Sequence, residues 1–143
     1  MENKIILGYH KNFQNEAIKI KEFLVANNYQ IVLEISNNCV IELSKEITKA
    51  LKKDFSLRVI LLDNYGIFPF MFLSKVKKFI VALVTEEHSS HMTMLHNNAN
   101  ILIVPLSFVA VPLAKSIIDA YLKTVYENKR HKIRLEMLDL MVN

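Results

Sequence analysis

Four short clusters carry the side chains with which this chain could do chemistry. Gly8-Tyr9-His10-Lys11 follows an apolar run, Ile5-Ile6-Leu7. Asp63-Asn64-Tyr65-Gly66 follows another, Val59-Ile60-Leu61-Leu62, and precedes a helical segment whose first backbone N–H groups can face an anion. His96-Asn97-Asn98 lies just before a third run, Ile101–Val104. Arg130-His131 and Arg134 lie in the final helical segment. Arg130 and Arg134 are four apart and so share one helix face. Two guanidiniums on one face suit a phosphate or a carboxylate.

Each cluster also has a plainer reading. His10 fits a surface histidine, Asp63 a helix cap, His96-Asn97-Asn98 a turn, and the basic tail a solvated helix face. His88 and His91 are three apart on a helical stretch, but no third ligand lies near them in sequence, so a metal site is not expected. Cys39 has no histidine at a spacing that would make it a nucleophile and reads as a structural or loop thiol. A P-loop, a complete Gly-x-Gly-x-x-Gly and a Gly-x-Ser-x-Gly are all missing.

The elements that must position these clusters alternate. Strand-like runs are Ile5–Leu7, Ile31–Ile35, Val59–Leu62, Phe79–Val84 and Ile101–Val104, each short, apolar and β-branched. Between them, apolar residues recur at helical spacing: Ala17, Ile20, Phe23 and Leu24, then Ile41, Leu43, Ile47 and Leu51. Val109, Leu113, Ile117, Ile118, Tyr121 and Leu122 predict a long amphipathic helix. Continuous apolar strands alternating with helices imply a parallel sheet covered on both faces. After a break at Tyr126-Glu127-Asn128, a last helix follows with Ile133, Met137, Leu138 and Met141 apolar. A short terminal amphipathic helix must dock on something, its own domain or a neighbouring subunit.

The chain holds 2 glycines in 143 residues, where ordinary usage would give about 10. Both follow apolar runs, where glycine permits a positive φ or a close backbone approach. In an open parallel sheet the crevice past the strand ends is where ligands bind. Two ordinary loop glycines would look the same.

The length fits one domain, residues 1–143, with enough chain for a real core. Apolar residues make up 52% and the mean hydropathy is +0.21, yet no run approaches a membrane span. Surplus apolar surface then points to an oligomer interface. Glu2 and Lys4 argue against a signal peptide, and a single cysteine fits a reducing cytoplasm. The net charge is +4, but most lysines alternate with glutamates along helical faces, so nucleic acid is not the expected partner.

Taken together and in this order, the clusters resemble the LacAB/RpiB family of sugar-phosphate isomerases, along nearly the whole chain. The likeness is carried by Gly8, Asp63-x-Tyr65-Gly66, Phe70-Met71, Glu86-x-x-Ser89, Met92-Thr93-x-x-His96-Asn97-Asn98, Leu113-Ala114-Lys115 and Arg130-His131-Lys132-Ile133-Arg134-x-x-Met137-Leu138. It is greatest to the A-subunit type of galactose-6-phosphate isomerase. The resemblance implies a Rossmann-like α/β fold: a five-stranded parallel sheet, helices on both faces and a protruding C-terminal helix. It implies aldose–ketose isomerisation of galactose 6-phosphate to tagatose 6-phosphate, in the cytoplasm, without metal, nucleotide or other cofactor. The implied ring-opening residue is His96, with Asp63 at the position of the base. Asn97, Arg130, Arg134, His10 and Gly66 would bind substrate or its phosphate. The implied assembly is a homo- or hetero-oligomer, dimer or tetramer, with a B-type isomerase subunit, and no membrane or nucleic acid.

The chain departs from the family pattern at its own strand ends. Asp63 stands where a cysteine is the usual base. Asn64-Tyr65-Gly66-Ile67-Phe68-Pro69-Phe70 replaces a glycine-rich loop, His10-Lys11 replaces an acidic residue and its neighbour, and Ser107 stands where an arginine is frequent. The parts lent across a subunit boundary, His96, Asn97, Arg130 and Arg134, are kept. That asymmetry fits a subunit that completes a site whose base lies on another chain. A self-sufficient isomerase using Asp63, and a non-catalytic sugar-phosphate-binding relative, are the competing readings.

Overall fold

The computed structural model describes residues 4–142. Five strands form one all-parallel sheet: β1 (Lys4–His10), β2 (Gln30–Asn37), β3 (Arg58–Asp63), β4 (Val81–Leu83) and β5 (Ile101–Pro105). Their order is β2-β1-β3-β5-β4. Six helices intervene or follow: α1 (Gln14–Ala26), α2 (Val40–Lys53), α3 (Ile67–Ser74), α4 (Glu87–Asn97), α5 (Val111–Lys123) and α6 (Arg130–Met141). A single 3₁₀ turn, Lys11–Phe13, joins β1 to α1.

The three inner strands read as unbroken apolar runs because both of their faces are buried. Ile5, Leu7, Ile60, Leu62, Leu102 and Val104 pack against α1, α4 and α5. Ile6, Val59, Leu61, Ile101 and Ile103 pack against α2 and α3. The period of two along each strand thus divides one sheet between two cores. The edge strand β4 is only three residues long, shorter than the Phe79–Val84 run suggests, and α5 starts at Val111 rather than Val109.

Gly8 is not at a strand end. It lies inside β1, paired with Ile35 on one side and Leu61 on the other. A Cβ there would come to 3.0 Å of Ile47 Cδ1 and 3.3 Å of Leu61 Cδ1. Its purpose is the close seating of α2 on the sheet. The strand continues through Tyr9 to His10, because Tyr9 is buried in the first core. Gly66 does meet the expectation: φ is +76°, and a Cβ would meet Leu83 Cδ1 at 2.6 Å and Ile103 Cγ2 at 2.8 Å.

α6 protrudes. It buries none of its residues, and Ile133, Met137, Leu138, Leu140 and Met141 are all exposed. Its approach is pinned by one backbone hydrogen bond, Glu127 N–H to Leu95 O at 2.9 Å. No helix of the described residues is long and apolar enough to cross a membrane.

Candidate active site

Six of the seven predicted site residues line two clefts, and Arg130 lines neither. The first lies at the carboxyl ends of β1 and β3. The chain leaves β1 toward β2 on one side and later crosses to β3 on the other, so this is the topological switch point of the sheet. A cavity of about 320 Å³ opens there, bordered by His10, Asn38, Asp63, Tyr65, Gly66 and Phe68 among others.

Its polar groups are largely engaged with their own loops. Asp63 is 6% exposed, and its Oδ2 accepts the Gly66 N–H at 3.0 Å. That bond closes the turn that swings the chain from β3 into α3, so one backbone donor an anion could have used is taken. Asn64 is tied to the next loop: the Ser107 N–H donates to Asn64 O at 3.0 Å, and the Ser107 hydroxyl donates to Asn64 Oδ1. Tyr65 packs against Phe108, ring centroids 5.6 Å apart and planes tilted by 49°. His10 Nδ1 accepts the Asn12 N–H at 3.1 Å. Pro69 is buried inside α3 and brings no N–H.

The second cleft runs along the open edge of β4. Its volume is about 500 Å³, and His96 and Asn97 from α4, His131 and Arg134 from α6, and Ser89 and Thr93 contribute to its wall. Of the four residues read as lent across a subunit boundary, three line this cleft: His96, Asn97 and Arg134. Arg130 stands beside it, exposed, one helical turn before Arg134. The His96 and His131 rings stack, centroids 4.2 Å apart and planes 14° from parallel. His131 is therefore part of the cluster. The sequence places it in the basic cluster without a role of its own, and its contact with His96, across 35 positions, has no local signature.

Burial, then the charges of His96, Arg130 and Arg134, push the His131 imidazole below its usual range; Glu127 alone pulls the other way. Among the described residues no carboxylate lies within ion-pair distance of Arg130 or Arg134. The cleft thus brings the Arg134 guanidinium and two imidazoles together with no carboxylate among its lining residues, which suits an anionic ligand.

α4 carries half of this wall and is built to hold it. Glu86 caps its start, accepting N–H groups of His88 at 2.6 Å and Ser89 at 2.7 Å. The Ser89 contact, before all else, holds the Glu86 carboxyl below the usual range. Ser90 is buried, and its hydroxyl donates to Ile117 O of α5 at 2.7 Å. Asn98 ends the helix in the left-handed region at φ 52°, its N–H bonded to Met94 O. The His-Asn-Asn motif therefore divides: His96 and Asn97 face the cleft, while Asn98 makes the turn. His91 instead pairs with Thr124, Nδ1 to Oγ1 at 2.7 Å.

Comparison with known proteins identifies the family and the fold. The sequence profile of the ribose/galactose isomerase family matches residues 5–138. Galactose-6-phosphate isomerase subunit LacA 1 of Streptococcus pyogenes serotype M3 (strain SSI-1) is 35% identical over 140 residues, covering 96% of this chain and 98% of that protein. Subunit LacA 2 of Streptococcus pyogenes serotype M1 is 32% identical over the same shares of each. The solved ribose-5-phosphate isomerase B of Clostridium thermocellum superposes with a TM-score of 0.85 at 25% identity, covering 96% of both chains. For the fold alone, the Mycoplasma genitalium enzyme gives a TM-score of 0.88 at 23% identity, covering 96% of this chain and 95% of that one. With its switch-point sheet, its edge cleft and a family match over nearly its whole length, the chain belongs to the LacAB/RpiB family of ribose and galactose isomerases.

Proposed function

We propose that the chain is an A-type subunit of a heteromeric galactose-6-phosphate isomerase. It interconverts galactose 6-phosphate and tagatose 6-phosphate in the cytoplasm with a B-type subunit, as a one-domain protein needing no metal or nucleotide. The observation that carries this reading is the split between the clefts. His96, Asn97 and Arg134 converge on open space, whereas the Asp63 carboxylate is occupied in its own turn.

Aldose–ketose isomerisation must open the sugar ring, carry a proton between C2 and C1 through an enediolate, and hold the phosphate clear of the reacting carbons. Arg134, with Arg130 one turn behind it, holds the phosphate. His96 gives a proton to the ring oxygen as the C1–O5 bond breaks, while the anomeric hydroxyl loses its proton to water and the C1=O bond forms. Asn97 directs a substrate hydroxyl. The base that takes the C2 proton comes from the B-type subunit, whose cleft the protruding α6 completes. The exposed apolar residues of α6 supply the surface for that contact.

The test is turnover of galactose 6-phosphate by the purified chain, by a B-type chain, and by the two combined. Activity only in combination is the expected result. The second reading, a self-sufficient isomerase, draws on the position of Asp63: nearly buried, beside His10 and Gly66 at the switch point. Turnover by the pure chain that Asp63→Asn abolishes would establish it. Inactivity of the combination would leave a sugar-phosphate-binding relative.

A further inference from the structure

We propose a second anion site, at the amino ends of the strands, that takes a small phosphate monoester bearing hydroxyl groups. A cleft of about 490 Å³ opens there, lined by Phe55, Ser56, Arg58, Lys78, Asn98 and Asp139 among others. It does not depend on the isomerase reading, and none of its residues belongs to the edge or switch-point clefts.

Arg58 is the first residue of β3 and is half-buried. Its Nη1 lies 2.9 Å from Met94 Sδ, and its guanidinium carbon is 5.9 Å from the centroid of the Tyr121 ring. A thioether is a weak acceptor and a ring face is not an anion, whereas a guanidinium presents five N–H donors. Among the described residues no carboxylate lies within ion-pair distance of Arg58 or of Lys78.

Lys78 is held at φ 71°, a conformation that costs a residue with a Cβ. Asn100 fixes it there: Nδ2 donates to Lys78 O at 3.0 Å, while Oδ1 accepts the Ile80 N–H at 2.9 Å. Two independent features, a half-buried guanidinium without an anion and a lysine on a strained backbone, thus border one cleft. Local strain of this kind accumulates at ligand sites.

The remaining wall fits the rest of such a ligand. Phe55, set edge-on against Phe79 at 6.0 Å, is an exposed aromatic residue that can take sugar C–H groups. The Asn98 amide and the Asp139 carboxylate of α6 can take hydroxyls. Asp139 also opposes a bare anion, which favours a ligand that carries hydroxyls over free phosphate. A ligand here would touch both the sheet and α6.

The test uses the full chain carrying Arg130→Ala and Arg134→Ala, so that the edge cleft no longer holds phosphate. Inorganic phosphate and galactose 6-phosphate are titrated by calorimetry, with Arg58→Gln and Lys78→Gly added singly. Lys78→Gly removes a cation while relieving the strained backbone, so its fold is expected to be at least as stable. Losing one charge-assisted donor corresponds to roughly 10-fold weaker binding or more. Saturable binding, tighter for the sugar phosphate and weakened that much by either substitution, supports the site. Absence of binding, or binding that both substitutions leave unchanged, overturns it.

Discussion

The switch-point cleft and the edge cleft use the same residue types to opposite ends. At the switch point Asp63 accepts from Gly66, Asn64 from Ser107, and His10 from Asn12, so the polar groups serve the loops that carry them. At the edge of β4, His96, His131 and Arg134 converge without an internal counter-charge, and no hydrogen bond of the described residues consumes them. A site keeps its capacity for chemistry when its groups are positioned by neighbours other than the ligand, yet left unsatisfied by them. On that measure the edge cleft keeps unsatisfied groups that a ligand could engage, whereas those of the switch point are spent on its own loops.

The largest effect should come from His96→Ala in the complex with a B-type chain. Removing a positioned acid is expected to lower kcat by roughly 10²- to 10⁴-fold. Asp63→Asn in the same complex should change turnover little, because the amide Oδ1 can still accept the Gly66 N–H. Steady-state assays of both decide the comparison; the reverse ranking would move the chemistry to the switch point.

Arg134→Ala is next, with kcat/KM for galactose 6-phosphate expected to fall roughly 10- to 150-fold, equivalent to ~1.5–3 kcal/mol for a charge-assisted hydrogen bond. An unchanged value would make the basic tail plain surface.

Gly66→Ala probes the switch point as a structural device. The left-handed backbone costs ~1–2 kcal/mol with a Cβ, and overpacking against Leu83 and Ile103 adds about 1–3 kcal/mol. Denaturant unfolding should report a loss of about 2–5 kcal/mol; a neutral substitution would mean that the turn is not strained.

The smallest effect is electrostatic. His131 is held below its usual range by burial and by surrounding positive charge. A depressed folded pKa means that the unfolded chain binds more protons, so stability falls as pH drops below about 6.5 and toward the folded value. The docking of α6 should loosen on acidification, and phosphate should raise the His131 midpoint. NMR titration of the His131 ring signals checks both; a midpoint above that of a free histidine would remove the charge crowd from the account. Independently, sedimentation at micromolar concentration should find the chain at least dimeric, since α6 leaves five large apolar side chains exposed.

Sequence reasoning reached far into the fold because its signals are local. Continuous apolar β-branched runs mark strands buried on both faces, and 3.6-residue periods mark the helices between them. The same locality misjudged Gly8, where a short apolar run was read as ending although Tyr9 continues it with its ring in the core. It also under-read His131, which earns its place only by stacking on a residue of another helix.

The amino-acid sequence by itself determined the alternation of strands and helices, the sheet class and the family, and it singled out His96, Asn97 and Arg134 as candidates. Tertiary structure alone decided that these three share a cleft with His131, that Asp63 is turned inward to Gly66, and that Arg58 and Lys78 line a third, separate cleft. The reason is physical: periodicity and turn chemistry depend on neighbours in the chain, whereas a counter-charge, a ring stack or an unsatisfied donor depends on which segments the crossovers bring together.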